Sequence, residues 1–102
     1  RTIRELINLN EHPFNKGAVR LNDVRRILIG RDFKGIGFKG LAEVMRNAGW
    51  HLNENNSLKI AGKVKKYPNF WSPRELEMTP AERCRFYDEE VKKDPTFLWG
   101  NI

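Results

Sequence analysis

Along residues 3–61 the apolar positions switch between a helical spacing and strict alternation, and each switch predicts an element. Ile3, Leu6 and Ile7 fall at i, i+3 and i+4, one face of a helix over residues 3–9. Asn10, His12-Pro13 and Asn15-Lys16-Gly17 end it in a loop. Val19 and Leu21 alternate with Arg20, which predicts a short strand over 18–21. A second helix is expected from Asn22 or Asp23, either of which can cap free backbone N–H groups. Val24, Ile27 and Leu28 then point inward, Arg25 and Arg26 outward, and Gly30 closes the helix. The run 27–29 also fits a buried strand. Phe38, Leu41, Ala42, Met45 and Ala48 form the cleanest stripe, a third helix ending at Gly49. Trp50 and Leu52 alternate with His51 and Asn53. After a turn at Glu54-Asn55-Asn56-Ser57, Leu58 and Ile60 alternate with Lys59 and Ala61. The expected hairpin lays Trp50, Leu52, Leu58 and Ile60 on the helices and leaves His51 and Lys59 in water.

After Gly62 the pattern changes. Lys63, Lys65 and Lys66 make a short basic run, followed by Tyr67-Pro68-Asn69-Phe70-Trp71. Ser72-Pro73-Arg74-Glu75 and Thr79-Pro80-Ala81-Glu82 each carry a hydroxyl cap, Pro at the first helical position and Glu at the third. The second should open a helix running to about Lys93, stopped by Asp94-Pro95, with Cys84, Tyr87 and Val91 on one face. The expected organisation is a head over residues 1–62 and an extended basic and aromatic arm over 63–102 with short proline-capped helices. The arm has too little apolar material for a core of its own. Tyr67, Phe70, Trp71, Phe97 and Trp99 are therefore candidate partner-docking residues, with Phe86 and Tyr87 beside them. The head is expected to fold without the arm, and the arm to be mobile until a partner covers it.

A length of 102 residues supports one small domain with an extension. Nineteen Lys and Arg against 13 Asp and Glu give a formal charge of +6, which favours polyanions or acidic protein surfaces. Arg31, Lys34, Lys39 and Arg46, on or before the third helix, and Lys59, Lys63, Lys65 and Lys66, beyond the hairpin turn, are the candidate contacts for such a surface. Glu43 and Glu54 would repel phosphate, and a plain solvated basic face is the competing reading. No apolar run approaches the length that spans a bilayer. A lone Cys84 excludes an internal disulfide, and Arg1 stands where an initiator Met would, which fits a removed targeting sequence, a trimmed chain or a missing start.

Candidate chemistry is sparse. Gly35-Ile36-Gly37-Phe38-Lys39-Gly40 spells G-x-G-x-x-G, but the strand and further sheet of a dinucleotide fold are missing, so an interhelical turn is expected. His12 and His51 have no second ligand at metal spacing. Arg83 and Arg85 could activate Cys84, yet its place on an apolar helix face reads as a buried structural thiol. Asp88-Glu89-Glu90 reads as a solvated face balanced by Lys92 and Lys93. No catalytic, cofactor-binding or metal-binding set emerges, and neither an enzyme nor a small-molecule substrate is expected.

The segment Gly37-Phe38-Lys39-Gly40-Leu41-Ala42-Glu43-Val44-Met45, followed by the hairpin at 50–60, resembles the winged-helix superfamily. It is most similar to LOTUS-type modules, which open their third helix on Gly-Phe-x-x-Leu-x-x-Leu. The resemblance covers residues 2–61 and implies a mostly α fold with a small β-hairpin, a winged-helix-like head. It implies binding to DNA, RNA or protein. The arm is similar in manner to accessory subunits and ribosomal proteins of mitochondria. The expected function is a non-catalytic structural subunit of a large mitochondrial assembly, whether a respiratory-chain complex, ATP synthase or ribosome, touching other protein subunits. The alternative is a free-standing winged-helix binder of DNA or RNA.

Overall fold

The computed structural model describes residues 1–93. Its helices are α1 (Ile3–Asn8), α2 (Leu21–Gly30), α3 (Phe38–Asn47) and α4 (Pro80–Lys93). Its strands are β1 (His51–Asn53), β2 (Ser57–Ile60), β3 (Lys63–Lys66) and β4 (Phe70–Ser72). The chain is a mixture of helices with a small antiparallel β region, richer in strand than a single hairpin. Phe97 and Trp99 lie outside the described residues.

Local chemistry accounts for the helix starts. The Thr79 hydroxyl accepts from the Glu82 N–H at 3.2 Å, and the Glu82 carboxylate accepts from the Thr79 N–H at 3.1 Å. This reciprocal box opens α4 where the sequence predicts it. Thr2 and Glu5 do the same for α1, at 3.2 and 3.0 Å. In both boxes the hydrogen bonds from the threonine hold the carboxyl below its usual range. Helix α2 departs from expectation. It begins at Leu21 with Arg20 as an N-cap that makes no side-chain cap bond, and the 27–29 run is helical. Asp23 is buried in its first turn, between Arg20 at 3.1 Å and Arg26 at 3.2 Å, where the positive helix end also favours a carboxylate. Ser72 opens no helix. It ends β4, its hydroxyl donating to the Arg74 carbonyl at 2.7 Å and accepting from Asn53 Nδ2 at 3.0 Å.

The hairpin register is corrected most. Strand β1 pairs with β4, not with residues 57–60: His51 faces Ser72, Leu52 faces Trp71 and Asn53 faces Phe70. Strand β2 pairs with β3, from Ser57 opposite Lys66 to Ile60 opposite Lys63. The tight turn is Ala61-Gly62, with φ of 51° and 80°, the left-handed pair that a two-residue hairpin turn requires. Asn56, expected in the turn, is instead buried, donating to the Asn53 carbonyl at 2.9 Å and accepting from the Tyr67 N–H at 2.9 Å. The two strand pairs thus form one long ribbon with an irregular joint at 54–56 and 67–69. Leu52 and Ile60, expected to be covered, are 38% and 53% exposed.

Strand β4 also takes up Val19, whose N–H donates to the Trp71 carbonyl at 2.9 Å and whose carbonyl accepts from the Trp71 N–H at 2.7 Å. The local order is Val19, β4, β1. Opposite faces of this patch carry separate cores, because successive strand residues point to opposite sides. Val19 and Trp71 join Leu6, Ile7, Phe14, Val24, Leu28, Leu41, Met45 and Trp50 on the side of α1–α3. Ala18 and Phe70 join Leu76 and Tyr87 on the side of α4. Phe70 and Trp71, expected on an arm awaiting a partner, are buried in this chain's own interior. The expected boundary after residue 62 falls within the β2–β3 turn, and paired strands join its two sides.

Two consequences can be measured. Trp71→Ala and Phe70→Ala should each destabilise the chain by about 3–5 kcal/mol in chemical denaturation, the cost of emptying a large buried site. A fragment ending at residue 62 should lack a cooperative melt, because it loses β4 and the whole second core. Cooperative melting of that fragment, or losses below about 1 kcal/mol, would mean that β4 is peripheral.

Candidate nucleic-acid interface

The β2–β3 ribbon carries four of the expected cations, and its register distributes them. Directly opposed residues share a face in an antiparallel pair. Lys59 therefore lies with Val64 and Lys66, while Lys63 and Lys65 lie with Leu58 and Ile60. The lysines occupy both faces of the ribbon, and all four are exposed. Both faces of the ribbon are cationic.

Beside it, a groove of about 500 Å³ runs between the start of α2, helix α3, Leu52 of β1 and the Pro68-Asn69-Trp71 stretch. Arg20, Asn22, Arg46 and Asn69 supply its polar groups, and no carboxylate lines it. The neighbouring groove beyond β1 differs: Arg46, His51 and Arg83 share it with Glu54 and Glu75. Arg46 stands on the ridge between the two, its guanidinium carbon 5.5 Å from the centre of the Trp71 ring. Of the expected cations near α3, Arg46 lines the groove. Arg31 instead donates to the His12 carbonyl at 2.7 Å, and Lys34 and Lys39 lie on the exposed turn and first turn of α3. Arg20, Asn22 and Asn69 were not expected in the site. Asn22 reads as a helix cap and Asn69 as part of an arm, so only the strand order Val19–β4–β1 reveals that they meet.

The base of the ribbon is held by α4. Arg83 donates from Nε to Asn56 Oδ1 at 2.7 Å and from Nη1 to the Met78 carbonyl at 3.0 Å. Five residues further along α4, the Tyr67 hydroxyl donates to Asp88 Oδ2 at 2.6 Å. Lys65 lies 4.8 Å from the Tyr67 ring centre, a second cation seated on an aromatic ring. Asp88 is therefore no solvated charge. Glu90, in the same acidic run, packs its carboxylate where a side chain at Gly17 would sit, 2.7 Å from an added Cβ.

The remaining motifs resolve simply. The Gly35–Gly40 segment is the turn between α2 and the start of α3, with Gly35 at φ 85° and the Ile36 carbonyl accepting from Arg25 Nε at 2.8 Å. Burial pushes the Cys84 thiol up despite Arg83 and Arg85, and the free thiol is buried on α4. His51 is exposed on β1. Among the described residues no three metal-ligating side chains gather, and no helix is long and apolar enough to cross a membrane. No protein family, curated protein or solved structure matches the chain.

Donation to Asp88, helped by burial, pushes the Tyr67 phenol up to about 12. The folded state then holds this proton more tightly than the unfolded chain does. The stabilisation is present below the ordinary phenol value of 10.0 and is lost as pH rises towards about 12. In a Tyr87→Phe background, spectrophotometric titration should place the remaining phenol near 12, and Asp88→Ala should return it towards its ordinary range. A midpoint near 10 with Asp88 intact would show that α4 does not hold the ribbon this way.

Proposed function

We propose that this chain is a non-catalytic nucleic-acid-binding module in which a winged-helix-like core presents helix α3 and a lysine ribbon to the phosphate backbone. What supports the winged-helix reading is the order α1, Val19, α2, α3, β1, ribbon, β4, with Val19 lying beside the last strand. Helix α4, packed on the other face of that patch, is an addition to this arrangement. The observation that carries the functional reading is the pairing of a ribbon cationic on both faces with a groove that has arginines and amides but no carboxylate. Such a surface attracts polyanions and releases their counterions, giving affinity that depends on charge more than on sequence.

Fluorescence anisotropy with labelled duplex and single-stranded RNA and DNA, between about 50 and 200 mM salt, tests this. Replacing Lys63, Lys65 and Lys66 with Ala should weaken binding to every sequence alike and lower the salt slope by about 2–3. Absence of any affinity at low salt would overturn the reading.

A second reading is a structural subunit of a large assembly, such as a mitochondrial respiratory complex, ATP synthase or ribosome. The observation favouring it is the apolar tip of the ribbon, where Ile60 and Val64 are 53% and 61% exposed on opposite faces. The arm expected over residues 63–102 is weaker support, since Phe70 and Trp71 are buried within the chain. In that case Ile60→Ser with Val64→Ser should abolish co-purification with partner subunits from a native extract, and leave nucleic-acid affinity unchanged.

A further inference from the structure

The cations of the interface differ in how firmly they are held. The ribbon lysines are exposed chains ending in point charges, and Lys59, Lys63 and Lys66 make no ion pair or ring contact among the described residues. Arg20 bonds to Asp23 at 3.1 Å and also meets the Tyr87 hydroxyl, so it is tied inward as part of the groove wall. Arg46 is different from both. Its guanidinium carbon lies over the Trp71 ring, 5.5 Å from the ring centre, and Trp71 is 3% exposed with both backbone groups bonded to Val19. Among the described residues Arg46 makes no hydrogen bond or ion pair, so its donors are uncommitted.

A guanidinium laid against an indole keeps its N–H donors at its edge, directed away from the ring, and its fork matches two oxygens of one phosphate. On one side of Arg46 lie Arg20 and the amides of Asn22 and Asn69 with no carboxylate; on the other, Glu54 and Glu75 offset His51 and Arg83. An anion approaching Arg46 is therefore favoured on the groove side over the other. We infer that Arg46, seated on Trp71, is a fixed phosphodiester contact at the mouth of the groove, setting the register of the nucleic acid, while the ribbon lysines supply diffuse attraction. This inference rests on the nucleic-acid reading above and names the residue that would make it a defined site.

Arg46→Lys and Arg46→Ala separate geometry from charge, with a labelled duplex of about 20 base pairs as the probe. Arg46→Lys keeps the charge but loses the planar fork, so the salt slope should be unchanged while affinity falls roughly fivefold or more. Arg46→Ala should weaken binding further and lower the slope by about 1. In parallel, the Nε–H signal of Arg46 should shift on titration with the duplex while that of Arg31, whose Nη1 donates to the His12 carbonyl, stays in place. Equal affinity of wild type and Arg46→Lys, with a still Arg46 signal, would overturn the inference even if the lysine variants weaken binding. Absence of binding by the wild-type chain would overturn it together with the reading it rests on.

Discussion

Trp71 exchanges both backbone hydrogen bonds with Val19, at 2.7 and 2.9 Å, and lies directly opposite Leu52 on its other side. That position makes β4 the shared strand between a segment before α2 and a strand after α3. Because consecutive strand residues face opposite ways, Trp71 enters the core of α1–α3 while Phe70 enters the core beneath α4. Neither core closes without this dipeptide. Phe14 and Trp50, in T-shaped contact with ring centres 5.8 Å apart, share the first core with Trp71, and Phe70 packs on Tyr87 in the second, with ring centres 5.2 Å apart.

The surface follows from that constraint. Fixing β4 fixes the direction in which the ribbon leaves the core, and α4 then grips its base through Arg83 on Asn56 and Tyr67 on Asp88. Asn53 and Asn56 are buried in the joint of the ribbon, with their amides bonded to backbone and to Ser72, as buried polar groups must be. A two-stranded ribbon alone is marginal in water, so its lysines are useful as a defined surface only because the joint and α4 hold them. The same strand seats Arg46 through the Trp71 ring.

Much of the first half was legible, because its helices declare themselves by periodicity; of the expected caps, the Thr79 box formed, while neither Asn22 nor Asp23 caps α2 and Ser72 opens no helix. The stripe at Leu41 and Met45, and the capping box at Thr79, needed only neighbours within a turn or two. What was not legible is long-range. The Asn-Asn-Ser stretch at 55–57 has better turn composition than Ala61-Gly62, yet burying Asn56 and pairing β1 with β4 outweighed that preference. Phe70-Trp71 looked like unspent apolar surface because a short run buried on both faces shows no alternation. The first core includes Trp71, so the stretch expected as an arm contains an internal strand. The groove was invisible for the same reason: Asn22, Arg46 and Asn69 meet only after β4 is placed between Val19 and β1.

Native-state hydrogen exchange on the full chain tests most directly whether β4 joins both cores into one cooperative unit. The amides of Val19 and Trp71, and those in the middle of α4, should open only with global unfolding, at the same free energy as the buried turns of α2 and α3. If the amides of β4 and α4 exchange orders of magnitude faster than those of α2 and α3, the second core is an appendage and the account is contradicted.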